Sequence, residues 1–295
     1  ADNVQLTIGG PTITHNRIDI WMPKVLNDSQ MAPYIDFVTY HQYAVGQTWD
    51  DAQHSQKSVI GSTQDPQVGF AALYEKVSRY VRQGKQLNAQ STPIYISEFN
   101  CPDVCRYSTT YYPLWSSLMV ADLLNSVLDI HSQSGAASSV PAGIAFWAWS
   151  SKKYCMFGKL DTALDCTLDQ NAPQPYPPYY SYLLLGGKNY LGLADGGYVA
   201  NSATTRQKGL VVTGFYTNTK DNVLVVNTTG QSYSQLNFLV TSAGSVKTTA
   251  SYYTLNSANP HIGMQQVDLS SANNGYIVTV NVPAYSTVAL SIDVS

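Results

Sequence analysis

At 295 residues and 44% hydrophobic composition the chain can bury one large core or two modest ones, and its 12% of charged residues carry a net charge of −3. Sixteen Lys and Arg are outnumbered by 19 Asp and Glu and scattered along the sequence, which excludes the basic stripe that nucleic acid requires. No run approaches the ~20 consecutive apolar residues of a membrane span, and the opening Ala-Asp-Asn-Val-Gln lacks the basic and apolar regions of a signal peptide, so a soluble mature chain is expected.

Over residues 1–192 short apolar runs alternate with helical patterns, which predicts strand–helix units around a parallel sheet. Strands are expected over Val4–Ile8, Ile35–Tyr40, Ile94–Phe99 and Gly143–Trp149, with Gly9-Gly10-Pro11 as a tight turn after the first. Val68–Val81 reads as a helix placing Leu73, Val77, Tyr80 and Val81 on one face, and Leu114–His131 as a second, with Leu114, Leu118, Ala121, Leu124 and Leu128 in phase. An apolar patch at Tyr179–Leu185, after the proline-rich residues 173–178, closes the layer. Over 193–295 the texture changes to alternating strands punctuated by Gly, Asn and Ser: Gly209–Thr217, Asn222–Asn227, Gln235–Thr241, Tyr252–Leu255, Gly275–Val280 and Thr287–Ile292. That pattern predicts an accessory β-sandwich.

A complete eight-fold β/α barrel needs roughly 250 residues, and the α/β region here has only about 190. Four strand–helix units make half a (β/α)8 TIM barrel. A half barrel leaves two sheet edges open and its inner face wet, and open edges invite pairing with another chain.

Only two of the acidic residues are glutamates, Glu75 and Glu98, so chemistry that needs Glu has two candidates. In Pro93-Ile94-Tyr95-Ile96-Ser97-Glu98-Phe99-Asn100 strict alternation puts Ile94, Ile96 and Glu98 on one face, with the carboxylate at the strand's carboxyl end, where barrel enzymes carry their catalytic groups. Glu75 lies on the outer face of its helix, four residues before Arg79, and reads as an exposed ion pair. Thr39, His41 and Tyr43 share a face of the preceding strand, where a His and a Tyr can bind sugar hydroxyls or a neighbouring carboxylate. Trp147 and Trp149 share a side of the last strand, and indole faces suit the apolar face of a pyranose. The long connection Gly46–Asp65, with Trp49, Asp50, Asp51 and His54, is placed to form a subsite wall.

Four cysteines allow three connectivities, of which the local one, Cys101 with Cys105 and Cys155 with Cys166, is favoured. Neither pair has metal-site spacing, and neither a metal nor an organic cofactor is expected. Two sequons, at Asn27 and Asn227, fit a secreted glycoprotein. Phosphate loops, serine-hydrolase elbows and zinc-protease helices are absent from the sequence.

In order, Ile-Gly-Gly-Pro, Asp-Phe-Val-Thr-Tyr-His-Gln-Tyr, Tyr-Ile-Ser-Glu-Phe-Asn and Ala-Phe-Trp-Ala-Trp-Ser resemble the second half of clan A retaining glycoside hydrolases, nearest to glycoside hydrolase family 39. The terminal Val282-Pro283-Ala284-Tyr285-Ser286-Thr287-Val288 looks like the end of that family's accessory sandwich. The resemblance implies barrel strands five to eight, Glu98 as nucleophile, Tyr43 as its hydrogen-bond partner, His41 as a substrate ligand and Trp147 as the wall of the subsite holding the attacked sugar. Asn100 joins Trp49 and Trp149 as further substrate-binding candidates. The clan's acid/base is the Glu of an Asn-Glu-Pro motif, and this sequence has no Asn-Glu pair. The expectation is therefore a carboxyl-terminal piece of a glycosidase acting on a carbohydrate, with a separate amino-terminal chain supplying strands one to four and the acid/base. A loop aspartate such as Asp103 is the lesser alternative for that acid. The rival reading is a catalytically inactive glycan-binding or structural protein derived from a glycosidase. The sugar, the linkage and endo or exo action stay open.

Overall fold

The computed structural model describes residues 6–14, 17–43, 70–84, 92–100, 141–146, 159–160, 166–167, 175, 177–193, 198–199, 210–227, 229–241, 248–256 and 261–294. Strands β1 (Gly9–Thr14), β2 (Phe37–Tyr43), β3 (Ile94–Asn100) and β4 (Gly143–Phe146) form a parallel sheet in chain order. One face is covered by α1 (Ile18–Leu26) and α2 (Phe70–Gln83). Ile18, Met22 and Leu26 recur every four residues on α1, as Leu73, Val77 and Val81 do on α2. All six are buried against Val38, Tyr40, Ile94, Ile96 and Phe99 of the sheet. Each such side chain contributes roughly 1.5–3 kcal/mol when fully buried, which commits this sheet face to the helices.

Three details differ from the sequence reading. Among the described residues the first strand is Gly9–Thr14; of the expected Val4–Ile8 only residues 6–8 are described, and there Leu6 and Ile8 stay 77% and 51% exposed while Ile13 enters the core. Gly10, at φ +157°, carries an extended chain where a tight turn was expected. Helix α1 escaped notice because Pro23 lies inside it, and proline ordinarily marks a helix boundary. The predicted helix Leu114–His131 lies outside the described residues.

On the side toward α2, the Asp19 carboxylate of α1 accepts hydrogen bonds from Lys76 Nζ (3.0 Å) and Tyr80 Oη (2.8 Å). The Lys76 bond is the main influence holding the Asp19 carboxyl below its ordinary pKa; partial burial opposes it and the Tyr80 bond assists.

In the carboxyl-terminal region β8 (Leu210–Tyr216), β9 (Lys220–Asn227), β10 (Tyr233–Val240), β11 (Thr249–Asn256), β12 (Gly263–Ala272), β13 (Gly275–Val282) and β14 (Ser286–Asp293) are antiparallel neighbours. With the short β7 (Tyr198–Val199) they form one eight-stranded sheet in the order β10-β13-β12-β11-β14-β9-β8-β7. It is one continuous ladder rather than two separate sheets. The first part of β12, Gly263–Asp268, pairs with β11 and the rest, Leu269–Ala272, with β13. Strand β12 was not predicted, since Met-Gln-Gln and Ser-Ser break its apolar alternation. Val278, Val280 and Val282 from one end of the sheet share a core with Val212, Val225, Val288 and Leu290 from the other, so the sheet curls over itself.

The Asn227 sequon is a structural device rather than an open glycan acceptor. Asn227 is fully buried; its Nδ2 donates to Gln231 O (2.8 Å) and Pro283 O (2.7 Å), and its Oδ1 accepts from Thr229 N (3.0 Å). Asn27 is exposed, with Nδ2 on Pro23 O at 2.8 Å.

Helix α3 (Pro177–Gly186) joins the two regions. Leu184 and Leu185, with Leu191 just beyond it, pack against Phe215, Leu224, Tyr253 and Ala289 on the outer face of the antiparallel sheet. Tyr182 packs instead against the α/β core. This explains why β9 and β14 read as continuous apolar runs: their central residues are buried on both faces. Tyr285, in the left-handed region at φ +45°, also reaches the α/β core from the turn between β13 and β14.

Leu184→Ala is expected to lower unfolding stability by ~2–5 kcal/mol in denaturant titration, since the cavity opens at this seam. A carboxyl whose folded pKa is depressed stabilises the protein above its unfolded pKa of ~3.9 and loses that contribution as pH falls through the folded value. Asp19→Asn should accordingly lower the melting temperature at neutral pH by an amount worth no more than ~1 kcal/mol, the pair being largely exposed, and leave it unchanged at a pH below both values.

Candidate active site

Alternation assigns Val38 and Tyr40 of β2 to the helix-covered face, leaving Phe37, Thr39 and His41 on the opposite, open face. Contacts agree with this. Phe37 meets Tyr95 of β3 edge-on at 5.3 Å between centroids, and Thr39 Oγ1 lies 2.6 Å from Thr12 Oγ1 of β1. Glycine at position 143 of β4 leaves room for the Tyr95 ring, since a Cβ there would stand 2.9 Å from it and the ring would have to shift.

On β3 the buried residues are Ile94, Ile96 and Phe99, so the spacing changes from two to three. The hydrogen-bonded register shows why. Tyr40 pairs with Ile96, yet the next residue, His41, pairs with Glu98. Against β4, Ile96 pairs with Ile144 and Phe99 with Phe146, again three steps against two. Ser97 is thus an extra residue in β3, a bulge of the kind that re-aims a side chain. Its Oγ donates to Tyr40 O at 3.3 Å.

The bulge reverses one expectation. Without it Glu98 would share the face of Ile94 and Ile96 and enter the core beneath the helices. With it, Glu98 turns to the open face, where its Oε2 lies 3.2 Å from His41 Nδ1. The two side chains are 23% and 19% exposed, so a solute can reach the carboxylate, and the contact becomes an ion pair when the imidazole is protonated. Phe99 is fully buried and meets Phe146 edge-on at 5.5 Å, and Phe146 meets Tyr182 of α3 at 6.0 Å. Glu98 therefore lies between a bulge and an anchored ring.

His41 and Glu98 are the predicted site residues whose side chains meet. His41, expected to hold substrate, touches Glu98 through Nδ1. Tyr43 and Asn100 are register partners at the adjacent ends of β2 and β3. Their side chains, together with Trp49, Trp147, Trp149, Asp103, Cys101, Cys105 and Cys155, lie outside the described residues; Cys166 is described only as a backbone position in the short ribbon β5 (Lys159–Leu160) and β6 (Cys166–Thr167). Glu75 is exposed on α2 as expected, but its partner is Arg82 (2.7 Å) rather than Arg79. It lies on the helix side of the sheet and cannot act with Glu98. The bulge had a signal in the sequence, the broken spacing Ile94, Ile96, Phe99, which strict alternation overrode.

No protein-family model matches the chain, and no curated protein does. Among solved structures it is similar to a family 51 arabinofuranosidase from Xanthomonas axonopodis pv. citri, at TM-score 0.65 and 13% identity over 99% of this chain and 59% of that one. A family 44 xyloglucanase from Paenibacillus polymyxa matches at TM-score 0.63 and 12% identity, over 98% of this chain and 57% of the other. A family 30 endoxylanase from Clostridium papyrosolvens matches at 0.54 and 14%, over 99% and 57%. At such identities the likeness shows a shared fold alone. The chain spans under three fifths of the length of each of these structures. None of the three is a family 39 enzyme, so that narrower resemblance rests on the sequence motifs alone.

Deleting Ser97 should restore two-residue alternation through β3 and turn Glu98 toward the helices. A crystal structure of the deletion variant checks this. The expected result is a Glu98 carboxylate out of reach of His41, and a carboxylate still on the open face would show that the bulge does not set its direction.

Proposed function

We propose that the chain is the nucleophile-bearing part of a secreted retaining glycoside hydrolase that cleaves O-glycosidic bonds of a polysaccharide or oligosaccharide. The observation that carries this reading is the Glu98 carboxylate, solvent-reachable beside His41 at the carboxyl ends of adjacent parallel strands. The glycosidases that share the fold add to it, although their substrates are their own.

In this mechanism a Glu98 oxygen attacks the anomeric carbon while the glycosidic C–O bond breaks, and the departing oxygen takes a proton from a second carboxyl group ~5–5.5 Å away. Water, giving its proton to that same group, then attacks the anomeric carbon and frees Glu98. His41, whose Nδ1 lies 3.2 Å from Glu98 Oε2, holds the carboxylate in place for the attack. Tyr43 serves as a second partner of Glu98, and Trp49, Trp147, Trp149 and Asn100 bind the sugar. The acid/base belongs to a separate amino-terminal chain that completes a barrel of which this chain forms strands five to eight. Residues 193–295 act as the accessory domain, two local disulfides brace the loops, and Asn27 is the glycan acceptor.

Glu98→Gln should lower turnover by on the order of 10⁴-fold or more with the fold intact. Adding azide to Glu98→Gly should restore cleavage, with azide attacking the anomeric carbon to give a glycosyl azide of inverted configuration. Normal rates in Glu98→Gln would remove Glu98 from the mechanism. Glycan binding with no turnover in the wild-type assembly would favour a binding protein.

A further inference from the structure

Strand β11 sends Ala250 and Tyr252 into the core enclosed by the curled antiparallel sheet, where Val288 and Leu290 of β14 and, in part, Val267 of β12 join them. Alternation carries Thr254 and Asn256 onto the same inner face, in half-buried positions where apolar side chains would be expected to continue. Residues directly opposite in the ladder share a face, so Gln265, opposite Tyr252, and Ser286, opposite Asn256, belong to it too. Asn227 follows Ser286 in the next pairing. The inner face therefore changes from apolar to polar toward one end of the sheet. There a cavity of about 330 Å³ opens, whose lining includes Tyr252, Thr254, Asn256, Gln265 and Pro283. One wall is fixed in advance: Pro283 O accepts hydrogen bonds from Asn227 Nδ2 and Ser286 Oγ, each at 2.7 Å, and Tyr252 Oη donates to Asn281 O at 2.5 Å. All three donor side chains are buried, so a ligand meets a surface that needs little ordering.

We propose that this cavity binds a neutral sugar unit of a glycan, at a place separate from Glu98. Three features of the lining select that class. Among the described residues it carries no charged side chain, and an ion stripped of water without a counter-charge is strongly disfavoured. A purely apolar ligand would cover a hydroxyl and two carboxamides and give them no partner in return for the water they lose. A sugar ring answers both needs: its hydroxyls donate and accept, as Thr254, Asn256 and Gln265 each do, and its C–H groups suit the Tyr252 and Pro283 rings. The volume lies at the lower end of the roughly 300–1,000 Å³ of small-ligand sites, which suits a short stretch of glycan. Extended peptides are read by open strand edges, whereas the groups gathered here are side chains. Binding at this place does not require that Glu98 be a nucleophile.

The test is calorimetric titration of the full chain, carrying Glu98→Gln to prevent turnover, with four probes: neutral xylohexaose and cellohexaose, acidic tetragalacturonate, and hexaglycine. Hydrogen–deuterium exchange locates the binding. At least one neutral hexasaccharide should bind and slow exchange in peptides spanning 252–256 and 263–266, while tetragalacturonate and hexaglycine should not. Thr254→Val combined with Gln265→Ala should weaken that binding at least about tenfold. Should the pair destabilise the sheet, Gln265→Arg alone, at an exposed position, should give the same loss by filling the cavity with bulk and charge while the melting temperature holds. Absence of binding by either neutral hexasaccharide, equal protection by the acidic sugar or the peptide, protection confined to the strands around Glu98, or undiminished affinity in folded variants would each overturn the proposal. Protection at 252–256 and 263–266 in a chain whose wild type cleaves no glycoside would sink the enzymatic reading and leave this site standing; glycoside turnover with protection only around Glu98 would do the reverse.

Discussion

A β-strand shows each residue to one face only, and on β3 the helix-covered face is already filled by Ile94, Ile96 and Phe99. A carboxylate on that face would lie in an apolar core, where a charge without a partner costs several kcal/mol. The inserted Ser97 settles the conflict by changing phase once, between the last core isoleucine and the core phenylalanine. Both ladders of β3 record the same one-residue slip, which makes the bulge a property of the strand rather than of one pairing. The direction of Glu98, its contact with His41 and its access to solvent all follow from that slip.

Packing on the far side holds the phase in place. Phe99 anchors the strand through Phe146 to Tyr182, and the same helix α3 buries Leu184 and Leu185 against the antiparallel sheet. The carboxyl-terminal region thus braces the element that aims Glu98, and Tyr285 packs against the same α/β core. Buttressing of this kind suits a site whose reacting atom must be held within a fraction of an ångström.

The sequence made some elements legible and hid others for identifiable reasons. The four-residue spacing of Leu73, Val77 and Val81 revealed α2, and the apolar runs at Ile35–Tyr40 and Ile94–Phe99 located β2 and β3. Helix α1 was hidden by Pro23, and β12 by a polar face whose only apolar marks are Val267 and Leu269. At Val4–Ile8 an alternating pattern suggested a strand, but Leu6 and Ile8 are exposed and, among the described residues, the pairing begins at Gly9. Glu98 was legible as a candidate from residue type and strand position, while its face was misread because a bulge has no signature except a break in apolar spacing. Asn227 shows the limit of motif reading in another way: the sequon is intact, and both amide hydrogens are used inside a turn.

What unites these features is an α/β sheet whose helix-covered face is filled by apolar side chains, with a carboxylate aimed from the opposite face. The most direct measurement is trapping with an activated 2-fluoro glycoside, followed by sequencing of the peptide that spans Ile94–Asn100. The account predicts a glycosyl adduct on Glu98. An adduct on any other carboxylate, in a preparation that turns over substrate, would contradict it.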